Sequence, residues 1–177
     1  GPQGRARHLL ENALHSHNLH QKIDLTSRAA TLDPQFVDPL IVRGQTYLKM
    51  VSLAYSNKSR PSEYSEYIDY ARMDFDRALL LDAINPWALL GQGDVSTWLN
   101  QPEAAESAYT QALEIDPLFD IARQRLIRVM TNQAHKLISD KQWGPAMTTL
   151  NRMLNSSVSE SWRTSLNEAY FLRGELY

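Results

Sequence analysis

The chain has 177 residues, 43% of them hydrophobic, and its 18 basic and 20 acidic side chains leave a formal net charge of −2. With both signs mixed, the sequence shows no basic stripe of the kind that binds nucleic acid, so nucleic acid is not an expected partner. No apolar run approaches the roughly 18–20 residues of a membrane-spanning helix, so direct membrane insertion is not expected. Without cysteine there is no disulfide, thiolate catalyst or cysteine-based zinc site, and the composition fits a cytoplasmic or a periplasmic location equally.

The first predicted helix pair covers residues 3–36 and ends in the segment AATLDP. Ala29 and Pro34 stand five residues apart there, a spacing that the later segment ALEIDP repeats. Proline ends a helix because it has no amide hydrogen to donate and its ring clashes with the preceding turn. This pair is the least regular, since Leu10 and Lys22 stand where the pair at 86–119 has the small residues Gly93 and Ala105.

The second predicted pair, residues 37–85, carries 15 extra residues. Asp33 and Asp82 are 49 residues apart, against a period of 34 in the pair that follows. The excess falls near residues 51–65, where the segment NKSRPS predicts a turn and Ser62 is a candidate N-cap for the next helix.

Three tyrosines follow this turn near one face of the predicted helix: Tyr64, Tyr67 and Tyr70. Two interpretations are open. Either the longer hairpin protrudes and contacts a partner, or it is an elongated helix pair whose tyrosines pack on their own partner helix around Tyr47 and Tyr55.

The third predicted pair, residues 86–119, is the most regular. Five of its residues meet the steric needs of an antiparallel helix pair that stacks on its neighbours: Gly93, Ala105, Tyr109, Ala112 and Pro117. Gly93 and Ala105 are small where the two helices cross, and Tyr109 fills the gap between them. Ala112 is small where the next pair approaches, and Pro117 ends the helix. This spacing resembles the tetratricopeptide repeat (TPR), a 34-residue helix–turn–helix unit.

The resemblance implies an all-α fold, an α-α superhelix (solenoid) of four antiparallel pairs and a terminal helix, in which each repeat buries its apolar face on its neighbours. It also implies a protein–protein interaction scaffold or adaptor without a cofactor rather than an enzyme. Its partner would be another protein or a peptide, whose identity the fold alone does not specify.

The fourth predicted pair, residues 120–160, carries seven extra residues, since Ala105 and Ala146 are 41 residues apart. Seven residues are two helical turns, so the hairpin is expected to lengthen without rotating its packing face. A final helix at 160–177 matches a first helix without its partner, and Gly1-Pro2 resembles a protease scar. We therefore expect a fragment of a longer chain or a terminal cap. Self-association through the last helix, or docking within a larger assembly, is the alternative function.

In TPR proteins the first helix of each pair lines a concave surface. The resemblance places eight candidate partner-binding residues there: Gln45, Trp87, Leu90, Asp94, Trp98, Ile121, Arg125 and Arg128. The two tryptophans are 11 residues apart and share a face, and large aromatic side chains on a groove floor are typical binding anchors. The two arginines are i,i+3 neighbours that could grip a carboxylate. We predict a bound peptide with apolar anchors and at least one acidic group.

A packing alternative exists for both tryptophans. Trp87 would then pack against the preceding repeat near the Asn85-Pro86 junction, and Trp98 would fill the loop end of its own hairpin.

The carboxylate clamp of lysine and asparagine found in chaperone-binding members is absent. Its positions hold Arg7, Glu11, Val42, Trp87 and Gly91. Only the first of these is basic, so chaperone tails of that kind are not expected to bind.

No catalytic or metal site is predicted. Four histidines lie near the N-terminus: His8, His15, His17 and His20. A zinc or nickel site needs three or four convergent ligands. Two of the four, His17 and His20, fall in the predicted turn, so this convergence is not expected. The chain also lacks a glycine-rich phosphate loop and the H-E-x-x-H and G-x-S-x-G motifs.

Overall fold

A computed structural model of the chain describes residues 1–155 and 171–174. Within these residues there is no strand, and the eight named helices are α1 (Pro2–His15), α2 (Leu19–Leu32), α3 (Asp38–Ser56), α4 (Pro61–Leu81), α5 (Pro86–Trp98), α6 (Pro102–Ile115), α7 (Asp120–Ser139) and α8 (Trp143–Asn155). Each helix contacts the next one along the chain, and the first helices of successive pairs also contact one another. The predicted all-α solenoid is therefore confirmed.

The second helices of the first three pairs end in the same way. Asp33, Asp82 and Asp116 follow α2, α4 and α6 in a non-helical conformation, and the amide of each donates to the carbonyl of the alanine four residues earlier. Aspartate suits this position because its side chain can bond to the backbone of the turn, as Asp116 Oδ1 does with the Leu118 amide. The recurring Ala-x-x-x-Asp segments thus mark the ends of three helices.

The turns inside pairs two, three and four also share one geometry. Each contains a residue with a left-handed backbone, Lys58 (φ 59°), Asn100 (φ 55°) or Lys141 (φ 57°). The amide of the next residue donates to a carbonyl five residues earlier, as from Gln101 to Ser96 at 2.9 Å. This is the Schellman pattern, which reverses the chain within three or four residues and sets the two helices of a pair side by side.

The extra residues of the second and fourth pairs lengthen helices rather than loops. In the second pair α3 and α4 have 19 and 21 residues, against 13 and 14 in α5 and α6 of the third pair. In the fourth pair α7 has 20 residues. The prediction that Ser62 caps α4 is wrong, because Arg60 occupies the N-cap position without a side-chain bond and Pro61 begins the helix.

The tyrosines of α4 pack on their own hairpin around Tyr47, as the second interpretation predicts, whereas the ring contact of Tyr55 is with Trp98 of α5. The ring centroid of Tyr47 on α3 lies 6.2 Å from that of Tyr67 and 5.3 Å from that of Tyr70. Tyr64 is buried in the same cluster beside Val51. The longer second pair is therefore an elongated hairpin, held together by aromatic contacts between its two helices.

The end of the chain is described only in part. Residues 171–174 are helical, and Leu172 is buried against α7 and α8 in a cluster with Met130 and Leu150. The rest of the predicted final helix at 160–177 lies outside the described residues. The alternative function, self-association through this helix, stays a prediction.

Candidate functional site

A groove of about 840 Å³ runs across the first helices of pairs two, three and four. Most of its lining residues come from α3, α5 and α7, and α5 contacts both of the others. The structure brings all eight predicted residues into this one groove: Gln45, Trp87, Leu90, Asp94, Trp98, Ile121, Arg125 and Arg128. Their shared location follows from the repeat, since equivalent positions of successive first helices face the same side of a solenoid.

Trp87 presents part of its indole to the groove. Asn85 fixes the start of α5, because its Oδ1 accepts hydrogen bonds from the amides of Trp87 and Ala88 at 3.1 Å. The Trp87 ring is 43% exposed and meets the buried ring of Phe119 edge-on, with centroids 4.7 Å apart. This ring contact joins Trp87 to the N-cap residue of α7, at the junction with the following pair, whereas the packing alternative placed it against the preceding one.

Trp98 forms a second aromatic contact across the groove. Its ring meets Tyr55 of α3 edge-on, with centroids 5.6 Å apart, and it packs partly buried against the cluster that contains Leu48 and Val51. Trp98 therefore bridges to the first helix of the preceding pair. The packing alternative named the loop end of its own hairpin and did not include this contact with α3.

The apolar surface that a ligand can reach is smaller than the sequence suggests. Leu90 is buried and belongs to the core cluster of α5, α6 and α7. Ile121 and Tyr55 remain exposed, at 42% and 62%. Together with Trp87 they are the accessible apolar contacts of the groove, while Leu90 supports its floor.

Asp94 is engaged within the protein. Tyr109 donates its hydroxyl hydrogen to Asp94 Oδ1 at 2.7 Å, and Arg125 Nε lies 3.0 Å from the same oxygen. The Nε hydrogen does not point at that oxygen, so the arginine contact is an ion pair rather than an aligned hydrogen bond. Asp94, predicted to bind a partner, is therefore already paired with two side chains of its own chain.

Burial and this network shift the pKa values of both groups. Burial raises the pKa of Asp94 above its usual value, and the opposing effects of the Arg125 charge and the Tyr109 hydrogen bond do not cancel it. Burial, followed by the nearby Asp94 charge, raises the pKa of Tyr109 as well. The tyrosine therefore stays protonated and acts as a donor to the carboxylate.

The two arginines do not act as a matched pair. Arg125 is half-buried and faces Asp94, whereas Arg128 is exposed and has no hydrogen bond or ion pair among the described residues. Lys49 of α3 is also exposed and lines the groove. The Arg125–Arg128 grip on a partner's carboxylate stays a prediction, and it would require Arg125 to give up its ion pair with Asp94.

Five of the residues that line the groove lie outside the positions that the TPR resemblance assigns to the concave surface, and the sequence interpretation missed them: Ser52, Tyr55, Phe75, Tyr109 and Val129. The first two lie on the lengthened part of α3. A signal for them exists, since Lys49, Ser52 and Tyr55 follow one another at three-residue spacing and continue the exposed face of that helix. Phe75 and Tyr109 come from second helices and reach the groove floor between the first helices.

The described residues hold no group of three or more His, Asp or Glu side chains placed to bind a metal ion. None of the helices in this part of the chain combines the length and the apolar character needed to cross a bilayer.

The fold is that of known tetratricopeptide-repeat proteins, although no protein-family model and no curated protein sequence matches the chain. MamA has a TM-score of 0.63 at 15% identity, over 99% of this chain and 81% of its own. The first TPR of Spaghetti (RPAP3), bound to an HSP90 peptide, has a TM-score of 0.62 at 18% identity, over 75% and 95%. TTC0263, a thermophilic TPR protein of Thermus thermophilus, has a TM-score of 0.61 at 17% identity, over 94% and 78%. The chain therefore has the TPR fold that its spacing predicted.

Proposed function

We propose that the chain is a protein-interaction module that binds a segment of a partner protein in its concave groove. The observation that carries the proposal is the convergence of α3, α5 and α7 on a single groove with partly exposed aromatic side chains. Such side chains bury a large area on binding and lose little conformational entropy, so they commonly supply most of an interface's binding energy.

The aromatic side chains are held in place before a partner arrives. Trp87 rests on Phe119, and Tyr55 and Trp98 rest on each other. A preorganised surface loses less freedom on association, which favours binding. The Spaghetti domain shows that a TPR of similar fold holds a peptide. The different residues at the clamp positions of this chain favour another ligand here.

The experiment compares two tryptophan variants. A random-sequence peptide library is selected against the wild-type protein, and the affinities of the selected peptides are then measured by fluorescence polarisation. Trp87→Ala is expected to weaken binding by at least about tenfold, since it removes the central exposed anchor. Trp143→Ala is the matched control, because Trp143 is 52% exposed on α8 and does not line the groove.

Circular dichroism establishes that both variants keep their helical content and melting temperature. Equal affinities for the wild-type protein and Trp87→Ala would contradict the proposal, as would an equal loss in Trp143→Ala. Failure to select any peptide would also count against it.

A further inference from the structure

The charges that line the groove differ from those of the whole chain. Three cationic side chains line it, Lys49, Arg125 and Arg128, and among the described residues Asp94 is the one carboxylate there. The chain as a whole has a net charge of −2. A concave surface with an excess of positive charge attracts and orients an anionic partner.

The positions of these charges matter as much as their number. Asp94 and Arg125 lie 3.0 Å apart and neutralise each other. The exposed cations outside this ion pair, Lys49 and Arg128, stand on α3 and α7, on either side of α5. The charge of Arg128 also acts on Asp94 and lowers its pKa, without an ion pair between them. Of the accessible apolar contacts, Tyr55 comes from α3, Trp87 from α5 and Ile121 from α7.

We propose that the groove selects an acidic segment of a partner protein, with an apolar residue for Trp87 and carboxylates for Lys49 and Arg128, and that Asp94 limits this binding by holding Arg125. The proposal rests on the proposed function and specifies its partner. Asp94 acts as a specificity-determining residue, because its charge opposes an incoming carboxylate and its ion pair keeps Arg125 from making a new one.

Three variants test the charges separately from the aromatic anchor. The probes are the peptides selected from the random library and versions of them in which every Asp and Glu is replaced by Asn and Gln. Arg128→Gln and Lys49→Gln are each expected to weaken the binding of the acidic peptides by about two- to fivefold, the usual effect of losing an exposed ion pair. Asp94→Asn is expected to strengthen the binding of the acidic peptides by a similar factor, because it removes a negative charge from the groove and frees Arg125. Its Asn side chain can still accept the hydrogen bond from Tyr109.

Arg77→Gln is the matched control, since Arg77 is an exposed cation of α4 that does not line the groove. The neutral peptides are expected to bind more weakly than the acidic ones and to be insensitive to Arg128→Gln. Higher salt is expected to weaken the binding of the acidic peptides but not that of the neutral ones, because salt screens exposed charges.

The outcomes separate the two proposals. The selected peptides can lose affinity for Trp87→Ala without being enriched in Asp and Glu, or can bind equally well after their acidic residues are neutralised. Either result would overturn the acidic selectivity and leave the groove as the binding site. Unchanged or weaker binding of acidic peptides to Asp94→Asn would overturn the role given to that residue. Binding that is insensitive to Trp87→Ala would overturn the proposed function itself.

Discussion

Close contact between three glycines and two aromatic rings sets the distance between helices at three crossings: α3 with α4, α4 with α5, and α5 with α6. A Cβ atom at Gly93 would lie 2.3 Å from Cε1 of Tyr109, and one at Gly91 would lie 2.3 Å from Cε1 of Phe75. Phe75 also touches Gly44, where an added Cβ would lie 2.8 Å from its Cζ. Both rings are fully buried. The glycines are therefore needed for close approach, which offsets their unfavourable helix propensity of roughly 1 kcal/mol.

Gly93→Ala is expected to lower the free energy of unfolding by about 1–3 kcal/mol, the usual cost of overpacking a core. The Tyr109 ring has no simple way to yield, since it is fully buried and its hydroxyl is bonded to Asp94. Urea denaturation followed by circular dichroism measures the change. Gly144→Ala on α8 is the control, because a Cβ there meets nothing within 4 Å, and it should cause no loss. Equal stability of Gly93→Ala and the wild type would show that the ring can shift.

The sequence predicted some of these residue contacts and not others. The Gly93–Tyr109 contact follows from the repeat spacing, because a small residue and a large one must face each other where two helices cross. The Asp94–Arg125 ion pair does not follow, since it joins side chains 31 residues apart whose rotamers depend on the local packing. For this reason the sequence located the groove but assigned Asp94 and Arg125 to a partner.

At the scale of the elements, a buried ion pair joins three successive helices. Arg43 of α3 donates to Asp74 of α4 through Nε at 2.9 Å and Nη2 at 2.6 Å, and through Nη1 to Ser27 of α2 at 3.0 Å. The side chains of Arg43 and Asp74 are only 22% and 7% exposed. The hydrogen bond with Asp74 is the largest cause of the raised pKa of Arg43, which keeps the guanidinium charged. This contact fixes the first pair on the second.

Asp74→Ala is expected to lower the free energy of unfolding by about 3–5 kcal/mol, because it leaves a buried arginine without its counter-charge. Asp69→Ala on the same helix is the matched control. Its ion pair with Arg72 is more than half exposed on both sides, and should contribute only about 0–1 kcal/mol. Chemical denaturation of both variants measures the difference.

The combined variant Arg43→Met, Asp74→Leu tests the cause of that loss. It is expected to recover most of the stability, because two apolar side chains leave no unpaired charge in the site. Equal effects of Asp74→Ala and Asp69→Ala would contradict the importance of the buried pair.

The lengths of the elements were less predictable than their order. The irregular spacings located the extra residues near 51–65 and in the fourth pair, but a count of residues does not tell a loop from a longer helix. In the structure α3 continues to Ser56, and this extension places Ser52 and Tyr55 in the groove. The insertion therefore both packs on itself and enlarges the candidate site.

At the scale of the whole molecule, the contacts are local along the chain. Among the eight helices that the structure describes from end to end, each contacts only helices one or two places away. The hydrophobic clusters follow one another from α3 to α8, and the one around Tyr109 joins α5, α6 and α7. In such a quasi-one-dimensional stack, stability is approximately a sum of repeat and nearest-neighbour terms. A weakened repeat should therefore affect the others according to their distance from it.

Tyr109→Leu tests this in the third repeat, since it removes both the hydroxyl bonded to Asp94 and the ring that fills the gap beside Gly93. Native-state hydrogen exchange is expected to accelerate most in α5 and α6, less in α4 and α7, and least in α1 and α2, because local unfolding follows the contacts that are lost. An equal acceleration in every helix would contradict this, and would mean that the solenoid opens as one cooperative unit. A graded response would mean that the groove, which spans three repeats, can loosen in the middle while α1 and α2 stay folded.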